Sequence, residues 1–299
     1  MNTGDVSRST DDDARATAAR VLVLRTGQPV SQVAARTGSF AELFARGLNT
    51  RADDDDDHHA HVSIDELDVT VCDADAPLPS LTSYGGVIMT GSAAYVDDDA
   101  PWMRFGQRLL RSIIETDVPF LGVCFGHQLL GRALGADVGP NPRGREMGTV
   151  DVQLHVESAR DDRLWSTVTP SFAAQVTHRD VIRDPGPCLR VLGAAPHDPC
   201  HIVKAGPHQW GVQFHPEFDD VTMRLYLETR RDSFDADRGA GAAAARLASV
   251  RSTEHAARLL THFARVAVER AGVRSAHAAV DVDATPALAF APLDPTGSR

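Results

Sequence analysis

No stretch of about eighteen consecutive apolar residues occurs in the chain, so the sequence predicts no membrane-spanning helix. The opening segment, Met1 to Arg20, is polar and carries Asp11-Asp12-Asp13; without an apolar core it does not read as a secretory signal. Positive charge is in deficit, with 30 Lys and Arg against 41 Asp and Glu and a formal net charge of −11. That balance disfavours sequence-independent binding to nucleic acid or to an anionic membrane. Only four cysteines are present, Cys72, Cys124, Cys188 and Cys200, and no pair has C-x-x-C spacing. A zinc site and a disulfide scaffold are therefore not expected, and a reducing cytoplasm is the simplest location. A phosphate-cradling G-x-x-x-x-G-K-[ST] loop is missing, and no internal repeat is visible.

What is present suffices for a sizeable core: 299 residues, 42% of them hydrophobic. Asp53 to Asp57 with His58, His59 and His61 form a low-complexity run. By residue type it offers metal ligands, but like charges on a flexible tract lack preorganised geometry, and it reads as a solvated insertion over about 50–62. Residues 1–19 read as a disordered lead, 20–232 as the main domain, and 233–299 as an extension with one helix from about Thr253 to Arg270 and a frayed tail.

Within the main domain the pattern alternates. Val21 to Leu24 reads as a buried strand and Ser31 to Leu48 as a helix. Asp68 to Cys72 reads as a second strand and Gly86 to Met89 as a third. Pro101 opens a helix to about Thr116, and Pro119 to Val123 is a fourth strand with a helix directly after Cys124. Strands alternating with helices imply a parallel sheet covered on both faces. Beyond Gly135 shorter segments near 148–155, 172–176, 189–192, 202–204 and 209–214 read as an antiparallel edge, followed by a helix over Asp219 to about Arg231. Parallel sheets of this kind place ligand sites beyond the carboxyl ends of their strands. Thr90-Gly91-Ser92 and Val123-Cys124-Phe125 both lie there.

Gly122-Val123-Cys124-Phe125-Gly126 sets glycines two positions either side of a cysteine, between a strand and a helix. It is the thiol counterpart of the G-x-S-x-G nucleophile turn. A sharp turn lifts the side chain above the sheet, the helix N-terminus favours thiolate, and the N–H of Phe125 faces the place where an oxyanion forms. An isolated cysteine at a strand end is more often core packing; the glycines, strand and helix start together favour the nucleophile. His215-Pro216-Glu217 then closes the strand-like segment from Gln209. Residues i and i+2 of an extended chain face the same way, which would let Glu217 orient His215 toward the thiol as its base.

Four ordered segments resemble the class I (triad) glutamine amidotransferases, in particular the glutaminase domain of GMP synthetase. They are Pro119 to Leu130, Val212 to Glu217, Gly86 to Ser92 and Thr177 to Asp180, within a resemblance covering about Val21 to Arg231. It implies an α/β fold of the flavodoxin-like kind, a mostly parallel central sheet with helices on both faces and a smaller antiparallel edge. It implies Cys124 as nucleophile, His215 as general base and Glu217 as orienter. The oxyanion hole falls to Phe125, Gly91 and Ser92, with a serine where the family usually has a second glycine. Substrate contacts fall to Gln128, His178, Arg179 and Asp180, with Arg179 replacing a glycine often found there.

The activity implied is hydrolysis of the γ-carboxamide of glutamine through a γ-glutamyl thioester, with no metal or organic cofactor. No second catalytic domain is legible after Arg231, and the Ser-Gly-Gly-x-Asp-Ser type of pyrophosphatase loop is missing. Three readings stay open. Ammonia passes to a separate synthetase partner, or the enzyme acts as a γ-glutamyl peptide or amide hydrolase, or the chain is a non-catalytic regulatory homologue. An intact cysteine, histidine and glutamate weigh against the third.

Overall fold

A computed structural model describes residues 19–50, 61–165 and 168–283. The predicted disordered lead apart from Ala19, which is the first residue of a strand, nearly all of the acidic and histidine-rich insertion, and the end of the tail lie outside the described residues.

In chain order the elements begin with β1 (Ala19–Arg25), α1 (Ser31–Thr37), α2 (Phe40–Leu48), β2 (Val62–Asp68) and β3 (Gly86–Met89). Then come α3 (Pro101–Glu115), β4 (Phe120–Val123), α4 (Phe125–Ala133), β5 (Asp137–Pro140), β6 (Glu146–Leu154) and α5 (Val156–Ala159). The strands β7 (Ser171–His178), β8 (Asp180–Asp184), β9 (Arg190–Ala195), β10 (Asp198–Lys204) and β11 (Gln209–Val212) follow. Last are α6 (Asp220–Thr229), α7 (Arg231–Arg238), α8 (Ala242–Ser249) and α9 (Glu254–Asp283).

Nine strands form one sheet in the order β2-β1-β3-β4-β11-β10-β9-β6-β7, and β5 pairs with β8 separately. From β2 to β11 every neighbour is parallel; from β11 outward every pairing is antiparallel. β3, β4 and β11 are buried at every position, as strands covered on both faces must be. Side-chain alternation divides the core. Val21, Ile88, Leu121 and Val123 face one side with Phe44 and Phe263, while Leu22, Val87, Met89 and Phe120 face the other with Leu109 and Leu129. Helices thus cover both faces: α2 and α9 on the first, α3 and α4 on the second.

Several local expectations are corrected. The second strand is Val62–Asp68, not Asp68 to Cys72, which instead holds a 3₁₀ turn over Val69–Val71. Its sequence V-S-I-D-E-L-D looks too polar for a central strand because β2 is an edge. Arg20 pairs with Asp65, and Arg25 pairs with Glu66 and Asp68, so the charges run along the rim. The helix read over Ser31 to Leu48 is two helices. Gly38 takes a positive φ of 89°, and Ser39 with Glu42 builds a capping box that starts α2 afresh. β5, β8, α5, α7 and α8 have no counterpart in the sequence reading, so the extension expected to hold one helix carries α8 as well as α9. β11, read with the antiparallel edge, is a central strand parallel to β4. The last long helix packs on its own core: Leu259, Leu260, Phe263, Ala264 and Ala267 are buried among residues of the first face. No helix among the described residues is long and apolar enough to cross a membrane.

Candidate active site

β4 ends at Val123, and Cys124 follows with φ 51° and ψ −101°, a conformation strained for any residue with a side chain. The neighbouring structure enforces it. Cys124 N–H donates to Val212 O at 2.8 Å and Gly126 N–H to Thr90 O at 3.2 Å, so the turn is tied to β11 and to the end of β3. The flanking glycines allow this proximity. A Cβ on Gly122 would stand 2.7 Å from the Gly126 backbone, and one on Gly126 would stand 2.4 Å from Met89 O. The glycine spacing legible in the sequence is thus a packing requirement of the turn.

His215 and Glu217 come from the segment beyond β11. The strand stops at Val212, so the pair does not share a strand face as the i, i+2 reading expected. A turn brings them together instead, closed by Phe218 N–H to His215 O at 3.3 Å, while His215 N–H donates to Gln175 O of β7 at 2.8 Å. In the result, His215 Nδ1 lies 2.8 Å from Glu217 Oε1, with both side chains buried. His215 Nε2 is buried without a protein partner among the described residues. His215 and Cys124 both flank Gly91: a Cβ there would lie 3.8 Å from His215 Nε2 and 3.7 Å from Cys124 Cβ. The Cys124 thiol makes its own long contact to Thr177 O at 3.8 Å.

Burial alone would push the His215 imidazole down. The adjacent Glu217 carboxylate and Cys124 sulfur outweigh it and raise the pKa to about 10. The ring therefore holds its proton at neutral pH, which suits a thiolate–imidazolium pair. Its plane is fixed by stacking on Phe218, and Phe40 stacks on the same group of rings.

Of the predicted oxyanion donors, Ser92 lines one cavity with Cys124 and His215, and Gly91 lies beside the side chains of both. Phe125 is the first residue of α4, where backbone N–H groups have no intrahelical acceptor. Among the described residues the N–H groups of Phe125, Gly91 and Ser92 have no protein acceptor. The Gly91 turn is held from below: Thr26 Oγ1 donates to Thr90 O at 2.9 Å and contacts Gly91 O at 3.2 Å. Ser92, in the place of a glycine, uses its hydroxyl to accept from Ala94 N–H at 3.1 Å.

One cavity is lined by Cys124, His215, Ser92, Gln128, His178, Arg179 and Asp180, so it gathers both the candidate nucleophile and the predicted substrate residues. Gln128 Nε2 donates to Asp180 O at 2.7 Å and to Gln213 Oε1 at 3.2 Å, which ties α4 to the start of β8. His178 ends β7 with its ring turned to Glu146, 3.3 Å from Nε2 to Oε2. The Asp180 carboxyl is held above its ordinary range by burial. Arg179 is exposed, and its guanidinium lies 5.0 Å over the Tyr95 ring. Sequence reasoning missed Arg145, Arg230 and Tyr226, which also line the cavity. They lie at the start of β6 and on or just after α6, whose local patterns carry no mark of a site. Phe218, directly after Glu217, was within reach of sequence reasoning as an apolar neighbour of the pair.

Residues 58–228 match the family described as "Glutamine amidotransferase class-I". A glutamine-hydrolysing GMP synthase of Thermomicrobium roseum is 32% identical over 193 residues, 63% of this chain and 32% of that protein. Gamma-glutamyl peptidase 5 of Arabidopsis thaliana is 28% identical over 142 residues, 46% of this chain and 56% of the peptidase. The chain therefore spans about a third or less of the GMP synthases it resembles. Among solved structures, a glutamine amidotransferase from Thermotoga maritima superposes with a TM-score of 0.59 over 85% of this chain and 97% of that one. At 21% identity that likeness speaks for the fold. With the family match covering more than half of its length, the chain belongs to the class-I glutamine amidotransferases.

Proposed function

We propose that this protein hydrolyses the γ-carboxamide of glutamine, with Cys124 as nucleophile, His215 as general acid and base, and Glu217 as the group that orients His215. The observation that carries the reading is the meeting of a strained strand-to-helix cysteine with a carboxylate-held imidazole in one cavity. The Cys124 thiolate attacks the γ-carbonyl carbon. The developing oxyanion takes hydrogen bonds from the N–H of Phe125 and from the Gly91–Ser92 turn. His215 gives its proton to the departing nitrogen, so ammonia leaves and a γ-glutamyl thioester remains. Neutral His215 then takes a proton from water, hydroxide adds to the thioester, and glutamate departs as the thiolate returns. Gln128 and the His178–Asp180 turn hold the amino-acid end.

The ammonia passes to a separate synthetase acceptor. The likeness to the glutaminase part of GMP synthases supports this. So does a relative from Ignicoccus hospitalis described as one subunit of a glutamine-hydrolysing GMP synthase, which is 36% identical over 111 residues. A second reading, hydrolysis of γ-glutamyl peptides, is favoured by the likeness to a plant gamma-glutamyl peptidase. The test is a turnover assay of the purified chain with glutamine and with γ-glutamyl dipeptides, scoring ammonia and glutamate. A diazoketone analogue of glutamine should alkylate Cys124 with loss of dinitrogen, adding the mass of the analogue less N2. Neither turnover nor labelling would leave a non-catalytic homologue.

A further inference from the structure

We propose that Arg145 and Arg230 form a carboxylate clamp that selects γ-glutamyl substrates whose leaving portion carries a carboxylate of its own, as a γ-glutamyl amino acid does. The proposal rests on the reading that the cavity around Cys124 receives a γ-glutamyl group.

The cavity wall carries an excess of positive charge. Besides Cys124 and His215, its charged lining consists of Arg145, Arg179, Arg230 and one acid, Asp180. Free glutamine is a zwitterion of no net charge and leaves that positive excess as it stands. A γ-glutamyl amino acid brings one ammonium and two carboxylates, and its net negative charge reduces the excess.

Geometry singles out two of the three guanidinium groups. Arg179 is exposed and laid over Tyr95, so it is engaged at the surface. Arg145 immediately precedes β6, where Glu146 pairs with His178, and is only partly exposed. Its contacts are long: Nη1 lies 3.3 Å from Ser233 Oγ and 3.3 Å from Asp237 Oδ2, the latter on a half-exposed side chain. Arg230 caps the end of α6 and makes no ion pair among the described residues. Burial, and then the neighbouring Arg230, both push the Arg145 guanidinium below its usual range. Two like charges held together on a partly dry wall are costly unless an anion lies between them, and planar guanidinium forks match a carboxylate edge to edge.

The test measures binding by calorimetry to the full chain carrying Cys124→Ala, so that hydrolysis does not intervene. Three ligands are compared: glutamine, γ-glutamylglycine and γ-glutamylglycinamide, the last lacking only the terminal carboxylate. The clamp predicts that γ-glutamylglycine binds about tenfold tighter than its glycinamide, as charge-assisted bidentate pairing allows. Arg145→Gln and Arg230→Gln should each bring that ratio to about two or below. Equal affinity of the two dipeptide ligands overturns the proposal, and so does failure of both to bind at millimolar concentration. Arginine variants that weaken glutamine as much as γ-glutamylglycine also overturn it, because the pair then serves the α-carboxylate. The comparison of ligands on one protein stands even where a variant folds poorly. Hydrolysis is scored separately on the wild-type chain. Discrimination without turnover of any ligand sinks the catalytic reading and keeps the clamp; turnover without discrimination does the reverse.

Discussion

The imidazole of His215 lies face to face on the ring of Phe218, with centroids 4.2 Å apart and planes 9° from parallel. Phe218 stacks in turn on Tyr226, 5.0 Å between centroids, so a column of rings holds the histidine from the side that Glu217 does not reach. One hydrogen bond fixes the direction of an imidazole only within a cone; a flat contact also fixes its plane.

Replacing Phe218 with Leu removes the flat contact while keeping the site apolar. Turnover should fall about ten- to a hundredfold with little change in KM, as expected for lost orientation. Steady-state kinetics with glutamine would decide this, and an unchanged kcat would show that Glu217 alone suffices.

Cys124→Ser should abolish hydrolysis and labelling by the diazoketone, leaving the far-ultraviolet circular dichroism and melting temperature close to those of the parent. Retained turnover would mean that another group is the nucleophile.

The raised pKa of His215 fixes the direction of the pH dependence. Its proton is bound up to about pH 10 in the folded chain, against 6.5 for an unperturbed imidazole. The stability drawn from this pair is fully present below 6.5 and is lost as pH rises through about 10. The kcat/KM profile should show no inflection near 6.5 from this group, and its alkaline fall should lie near 10. Glu217→Gln removes the largest contribution that raises the pKa, so the alkaline fall should move to lower pH. Its rate loss should be far smaller than that of His215→Ala. Equal losses would show that Glu217 does more than orient and charge the ring.

Gly91→Ala places a methyl 2.9 Å from His215 Cε1. The imidazole must shift, so activity should drop by about two orders of magnitude. Global stability should change little, because the turn can relax into the cavity. A melting curve and a rate measurement on the same preparation separate the two effects.

Phe263 of α9 is wholly buried on the first face of the sheet, against Gly86 of β3. Phe263→Ala should cost about 3–5 kcal/mol in a denaturant titration. Activity per folded molecule should persist, since Phe263 is not among the residues that line the cavity.

The primary order by itself determined the outline. Continuous apolar runs at Val21 to Leu24, Gly86 to Met89 and Pro119 to Val123 specify buried parallel strands, because only strands covered on both faces can be apolar throughout. The glycines at 122 and 126 mark the turn around Cys124, since they answer a steric demand between residues close in sequence. Other features depend on neighbours distant in the chain and left no local trace. β2 is charged because it is an edge beside Arg20 and Arg25. The His215–Glu217 contact is made by a turn anchored to Gln175, and not by strand alternation. The arginines at 145 and 230 meet only when β6 and α6 fold onto the same cavity. Periodicity reports how a residue relates to its own segment, whereas charge pairing and ring stacking are set by whatever packing brings from elsewhere. That is why the fold and the strained turn at Cys124 were legible in the sequence and the walls of the cavity were not.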